Sequence, residues 1–387
     1  MFTPEQIPEI KALVNARILE DQRLLEDLRI DVRPMVSETR TIKPRSVTAV
    51  SLVASDGGNN KLSFDPFYIQ LVRVVDSYGK QLFVDTISQT TDTDKLSRAQ
   101  FDEKGEPCTP LGRMMGDLGV NPPLLSVLSP MIPSSKKMRE TPERVSPSWV
   151  QVYRDICEWA VLYDLLCYKS FATDTIIVRD GPLRSKIFGK NYFMKWRTRV
   201  ENAIDEIYRN SRRKVYLVGV FKHSKVYQKY QLAMALEEVF PSGEPRYVRV
   251  PRDIEARAYV WPEYARGAET EGEEREAPKF VAGDMFLVRF GPKSGDPVWA
   301  VDIFTKQSAA SPEIFGYLLS DAIDGFPVPF YPRCLQSAHE HAEIVGFDYD
   351  ILQDEIISAI RGRLPAHQQG IIDMLSFNTD VSNKRYE

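Results

Sequence analysis

The chain has 387 residues, 43% of them hydrophobic and 27% charged. That composition excludes a mostly disordered chain and supplies a core without staples, in one large domain or two to three small ones. Fifty Lys and Arg against 54 Asp and Glu give a net charge of −4, a total that argues against nucleic acid or an anionic membrane as partner.

The first residues, MFTPEQIPEIKALV, place charges where a signal peptide needs an apolar stretch. Apolar positions at Ile7, Ile10, Val14, Ile18, Leu25 and Leu28 predict an amphipathic helix over about 4–29. Pro34 and Pro44 bracket an extended connector. The β-branched run 46–54 predicts a strand that ends in a turn at Ser55-Asp56-Gly57-Gly58-Asn59-Asn60. Strands at about 64–75 and 80–87 complete an antiparallel meander. Residues 88–147 read as an irregular insertion with one short helix near 111–118. A helix over about 147–169 follows, then a short buried strand at 173–178 that leads into Arg179-Asp180-Gly181-Pro182.

Further helices are expected at 192–210 and 226–240, around a strand at 214–221. Strands follow at 247–250, 285–290 and 298–304. The acidic stretch 262–279 reads as a mobile loop. Helices near 311–323, 335–344 and 350–362 finish the chain. There is no internal repeat and no run of about 18 apolar residues that would span a membrane. Cys108, Cys157, Cys167 and Cys334 form no CxxC pair, so neither a zinc finger nor a disulfide framework is suggested; reduced thiols in a cytoplasmic protein are expected.

Three antiparallel strands followed by strands that alternate with helices predict an α/β class. The arrangement is an RNase H-like mixed sheet, a meander and then parallel βαβ crossovers, with an N-terminal helix and C-terminal helical additions. The expected divisions are an N-terminal helix and connector at 1–45, a main domain at 46–345, and a C-terminal helix and tail at 346–387.

In that frame Asp56 ends the first strand, Asp180 ends the first strand of the parallel half, and Glu158 lies on the helix between them. Converging carboxylates repel, and hard divalent cations such as Mg²⁺ or Mn²⁺ remove the conflict. Two ions roughly 4 Å apart can clamp a phosphodiester and activate water. Each acid also has a plainer reading. Asp-Gly is a common turn signal, so Asp56 and Asp180 are equally turn residues. Glu158 sits where the polar stripe Gln151, Arg154, Asp155 runs into the core, and Asp164 is the alternative acid on the same helix.

The charge total conceals its distribution. Residues 179–229 hold 14 bases and 4 acids, +10, which leaves −14 on the rest of the chain. Tyr192, Phe193, Trp196, Tyr208, Tyr216 and Phe221 are interleaved with the bases. Bases neutralise phosphates and aromatics stack on unpaired bases, although a solvated helix face and core aromatics account for the same pattern. Lys222 stands out because it follows a strand parallel to the one that ends at Asp180.

Four segments in order resemble the NurA nuclease family. They are Ser55-Asp56-Gly57-Gly58, Val178-Arg179-Asp180-Gly181-Pro182-Leu183, Val218-Gly219-Val220-Phe221-Lys222-His223-Ser224-Lys225, and Phe326-Pro327-Val328-Pro329-Phe330-Tyr331-Pro332 with Ala338-His339. The resemblance implies that Asp56, Glu158, Asp180 and His339 bind metal, Mn²⁺ or Mg²⁺ and two ions. It implies that Tyr331 and His339 complete the site; within the basic segment, Arg184, Lys186, Lys222 and Lys225 are the expected DNA contacts. It further implies a homodimeric 5′→3′ exonuclease and single-strand endonuclease that works with a HerA-type hexameric ATPase in DNA end resection or double-strand-break repair. A role in antiphage defence is equally compatible. His339 and His341 diverge by about 200° on a helix, so they do not share one metal. No GxxxxGK[ST] loop is present, so ATP hydrolysis would belong to the partner. Two rivals are a non-catalytic DNA- or motor-binding scaffold and a carboxylate-pair glycosidase. The three acids speak against the first, and the basic segment against the second.

Overall fold

A computed structural model describes residue 3 and residues 6–46, 50–64, 67–259, 279–343 and 347–369. In chain order the elements are α1 (Gln6–Glu38), β1 (Arg40–Thr41), β2 (Val50–Phe64), β3 (Phe67–Asp76), β4 (Gln81–Ser88), α2 (Thr93–Arg98), α3 (Pro110–Asp117), α4 (Leu125–Leu128) and α5 (Ser135–Glu140). They continue with α6 (Trp149–Tyr168), β5 (Asp174–Asp180), α7 (Tyr192–Ser211), β6 (Val215–Phe221), α8 (Lys225–Leu236), β7 (Arg246–Arg249) and α9 (Arg252–Ala258). The last are β8 (Gly283–Arg289), β9 (Val298–Phe304), α10 (Ser311–Ala322), α11 (Arg333–Ala342) and α12 (Phe347–Arg361). The expected loop at 262–279 lies, apart from Lys279, outside the described residues. No described helix is long and apolar enough to cross a membrane.

Two compact units interleave along the chain. The first comprises residues 1–52, 173–185 and 215–333, the second 53–172, 186–214 and 334–387. The linear division at residues 45 and 345 does not coincide with them.

In the first unit the strand order is β1-β7-β8-β9-β6-β5. β5 and β6 are parallel, with Thr175 opposite Val215 and Asp180 opposite Val220. Helix α7 is the crossover between them. The expected run of parallel crossovers reduces to this one: β9 returns antiparallel to β6, and β8 and β7 follow antiparallel. Every residue of β6 and β8 is buried, as a strand covered on both faces requires. Helix α1 runs through Pro34, where a connector was expected. A proline inside a helix costs about 3 kcal/mol, but Val32 and Met35 pack into the cluster that includes Val226, Tyr230 and Met234 of α8. Arg29 and Arg33 also pair with Glu237 at 2.6 and 3.1 Å. Those contacts outweigh the proline penalty.

In the second unit β2, β3 and β4 form the expected antiparallel meander. Strand β2 does not stop at the predicted turn: Ser55 to Phe64 pair residue by residue with β3, from Ser55 opposite Asp76 to Phe64 opposite Phe67. Asp56 is therefore inside a strand, one residue beyond the point where pairing to β3 begins. Local turn propensity loses here to a ladder that satisfies the backbone. Helices α6 and α7 pack through Trp159, whose ring lies edge-on to Phe193 at 5.2 Å and to Trp196 at 4.8 Å. The insertion at 88–147 holds four short α-helices, one of them, α3, where a short helix was expected. Asp92, Thr109 and Ser134 cap α2, α3 and α5 with side-chain oxygens, a signal that was present in the sequence. The meander, then α6, β5, α7 and a parallel β6, is an RNase H-like arrangement.

Candidate functional site

In the first unit, Asp180 is the last residue of β5. Its backbone lies opposite Val220 of the parallel β6, so Lys222, one residue beyond that strand, emerges at the same edge. Lys222 Nζ is 3.4 Å from Asp180 Oδ2, with side-chain exposures of 38% and 18%. The Tyr331 hydroxyl donates to Asp180 Oδ1 at 3.2 Å, and Lys222 Nζ lies 5.0 Å from the centre of the Tyr331 ring. Carboxylate, ammonium and phenol thus form one cluster. Tyr331 itself is buried. Trp299 crosses its ring at 4.8 Å and donates Nε1–H to the Phe330 carbonyl at 2.6 Å. Phe330 occupies the left-handed region at φ 55°.

The chain leaves β5 through Gly181, at φ 126°, where a Cβ would lie 2.2 Å from Arg179 Nη1. Only glycine makes that turn without strain. Residues 181–185 then form a strap. Leu183 N–H donates to Asp302 Oδ2 at 2.9 Å, Ala282 N–H to the Leu183 carbonyl at 2.8 Å, and Ser185 N–H to the Phe280 carbonyl at 2.9 Å. Gly219 and Gly283 clear its path, since a Cβ on either would come within 3.1 Å of strap atoms.

Arg184, expected on a DNA track, has no surface to offer a phosphate. Its side chain and those of Asp302 and Glu255 are all 0% exposed. Nε and Nη2 of Arg184 grip Asp302 at 2.9 and 2.6 Å, and Nη1 bonds Glu255 Oε1. Burial opposes the arginine charge, but Asp302 and Glu255 outweigh it and push the pKa of Arg184 above the ordinary arginine value. A charge in an apolar strand must be paired, and the tie holds the strap that follows Asp180. Lys225 is exposed at the start of α8, where the Ser224 hydroxyl caps the helix.

In the second unit, the Glu158 carboxylate sits against β2. A Cβ on Gly57 would be 2.2 Å from Glu158 Oε1, so the missing side chain at Gly57 leaves the space this acid occupies. Glu158 therefore lies beside the residue next to Asp56; the Asp56 side chain is outside the described residues. Arg154, one turn earlier, places Nε 3.3 Å from Glu158 Oε1. Asp164, the other acid on α6, instead pairs with Arg113 at 2.5 Å and Lys169 at 3.3 Å. Six residues further on, it points about 240° away around the helix. Lys186 is exposed, and so is His339 on α11. His341 packs against the β3–β4 turn, where a Cβ on Gly79 would be 3.2 Å from its ring.

Five of the six aromatics interleaved with the bases are buried: Tyr192, Phe193, Trp196, Tyr216 and Phe221. They are core and cannot stack on a nucleobase. Tyr208 is exposed, with Arg212 5.7 Å from its ring. Among the described residues, no group of three or more His, Cys, Asp or Glu is placed to hold a metal ion.

The sequence singled out neither Asp302, Glu255 nor Trp299; it gave Gly57 only as part of a turn and of the first motif, and Arg154 only as part of a polar helix stripe. Asp302 carried a readable signal, a lone charge in the otherwise apolar strand Val298–Phe304. Glu255 and Arg154 carried none.

No protein-family model matches the chain, and neither does any curated protein. Among solved structures, the NurA nuclease from Sulfolobus solfataricus aligns with 94% of this chain and 99% of its own, at 14% identity and a TM-score of 0.39. A NurA bound to dAMP and manganese aligns with 96% of this chain and 100% of its own, at 12% identity and a TM-score of 0.39. Marinitoga piezophila Argonaute aligns with 78% of this chain and 31% of its own, at 10% identity and a TM-score of 0.26. Alignments at these scores assign neither fold nor activity.

Proposed function

We propose that the chain is a metal-dependent DNA nuclease of the type its four motifs resemble. It is a 5′→3′ exonuclease and single-strand endonuclease that resects DNA ends in the cytoplasm, driven by a HerA-type ATPase. The observation that carries this reading is the cluster at the end of β5, with Lys222 3.4 Å and Tyr331 3.2 Å from the two oxygens of Asp180. A carboxylate on a rigid strand end, oriented by a buried phenol and flanked by an exposed ammonium, suits a phosphodiester held next to a cation.

Asp56, Glu158 and Asp180 are the proposed ligands, with His339 completing the set. The donor chemistry fits, because carboxylate oxygens are hard ligands that suit Mg²⁺ or Mn²⁺. The space for Glu158 is reserved by Gly57. A cation held by these carboxylates would supply charge neutralisation at the phosphodiester and polarisation of a water. The Tyr331 hydroxyl fixes the orientation of Asp180. Lys222 presents a positive charge to a phosphate oxygen. Arg154 sets a positive charge beside Glu158. Lys186 and Lys225, each exposed, are proposed phosphate contacts, and Arg184 is buried away from that role.

The test substitutes Asp56→Ala and Asp180→Ala separately and follows degradation of labelled DNA. Cleavage should stop in both variants while circular dichroism and oligomeric mass stay as in the wild type. Undiminished digestion by either variant would remove that residue from the site.

A further inference from the structure

We propose that the insertion between β4 and α6 holds a binding site of its own, which takes a nucleobase that carries an exocyclic amino group. A cavity of about 320 Å³ lies there, at the lower end of the ~300–1,000 Å³ range of small-molecule sites. The chain after β4, the start of α2, α5 and the start of α6 enclose it. Its walls are apolar at Met138, Pro142, Val145 and Pro147, and Trp149 adds an indole. Two polar groups stand out in that lining. Trp149 is 1% exposed, and among the described residues its Nε1–H donates to nothing. A buried indole N–H ordinarily has a partner. The other group is Asp92. Its Oδ1 accepts from the backbone N–H groups of Asp94 and Lys95, at 3.0 and 3.1 Å, and from the Ser135 hydroxyl. Among the described residues, Oδ2 meets only Arg139, at 3.6 Å, which is beyond hydrogen-bond distance.

These two groups select the ligand. Trp149 can only donate and an ionised Asp92 can only accept, so the ligand offers an acceptor and a donor from one apolar body. The Ser135 hydroxyl and the Lys95 N–H lower the Asp92 pKa, which keeps the carboxylate ionised. A cation is disfavoured, because the Arg139 guanidinium already balances that charge. A neutral ring with an amino group beside a ring nitrogen or carbonyl meets both demands, and adenine, cytosine and guanine each have such an edge. Thymine and uracil do not. Their ring N–H lies between two carbonyls, so an oxygen faces the carboxylate. Arg139 lines the cavity and is 68% exposed, which suits the phosphate of a nucleotide. The base comes from a free nucleotide or from the end of a DNA strand. The site belongs to the second unit and Asp180 to the first, so it stands independently of the proposed cleavage.

The experiment is calorimetric titration of the full chain in chelator, as wild type and as Asp180→Ala. The probes are dAMP, dTMP and short single strands that end in dA or dT. At least one adenine probe should saturate both chains with a Kd below about 1 mM, and its thymine counterpart should bind about tenfold more weakly. Saturation by dAMP assigns a free nucleotide, and saturation by the dA-ended strand alone assigns a strand end. Trp149→Phe keeps a ring in place and removes a donor that has no partner. It should leave thermal stability unlowered while adenine affinity falls about three- to tenfold. Asp92→Asn should erase the preference over thymine. No saturable binding by any probe, equal binding of adenine and thymine probes, binding lost in Asp180→Ala, or affinity unchanged by Trp149→Phe would each overturn the proposal.

Discussion

Replacing Asp302 with Asn is the sharpest perturbation of the strap that follows Asp180. Asp302 accepts from Leu183 N–H and from Nε and Nη2 of Arg184, at 2.9, 2.9 and 2.6 Å. An amide keeps one acceptor but presents a donor where the second oxygen stood, opposite another donor. At least one charge-assisted bond, about 1.5–3 kcal/mol, is lost. Breaking a buried pair costs about 3–5 kcal/mol, but Glu255 still compensates Arg184, so about 3 kcal/mol is expected, roughly a hundredfold in the folded-to-unfolded ratio. Arg184→Met leaves two buried carboxylates without a cation and should cost more, about 5 kcal/mol. The double variant should then cost about 2 kcal/mol less than the two singles together, since residues in one network are not additive. The assay is urea denaturation followed by circular dichroism. A loss below about 1 kcal/mol for Asp302→Asn, or strict additivity in the double variant, would refute the argument that this buried ion cluster holds the strap.

Gly57→Ala should be nearly neutral for stability, because the atom it meets is the end of the Glu158 side chain, but it displaces that carboxylate and should lower DNA cleavage about tenfold or more. Equal loss of stability and activity would count against the assignment of Glu158. Trp299→Phe keeps the ring against Tyr331 but removes the 2.6 Å bond to the Phe330 carbonyl. It should cost about 1 kcal/mol and lower turnover more than substrate affinity, and an unchanged turnover would separate Trp299 from the site. Asp92 has its pKa lowered by the Ser135 hydroxyl and by the backbone N–H of Lys95. A lowered folded-state pKa contributes stability above the unfolded value, and that stability is lost as pH falls through the folded one. Thermal melts of wild type and Asp92→Asn should therefore converge below about pH 4; a gap that widens with acid would reverse the sign.

Strands and helices with strong periodicity were legible in the sequence. Val298–Phe304 matches its predicted bounds. Segments decided by long-range partners were not. Asn59 and Asn60 look like a turn, yet they pair opposite Val72 and Leu71. The two-residue β1 exists because it pairs with β7, where Arg40 lies opposite Tyr247. At the site, the placement of Lys222 beside Asp180 follows from one parallel pair and was readable. Arg184 illustrates the opposite: a base in a basic run looks solvated, and only Asp302 and Glu255, more than seventy positions away, bury it. The choice between Glu158 and Asp164 also needed three dimensions. Both ride one helix, and only in three dimensions is Glu158 seen against Gly57 and Asp164 against Arg113.

The central claim, metal-dependent phosphodiester cleavage, is tested most directly with the purified protein and end-labelled single- and double-stranded DNA. Parallel reactions contain Mn²⁺, Mg²⁺ or chelator, each with and without a HerA-type ATPase. The account predicts that DNA is shortened in at least one metal and left intact in chelator. DNA that stays intact in every metal, or that is degraded equally in chelator, would contradict it.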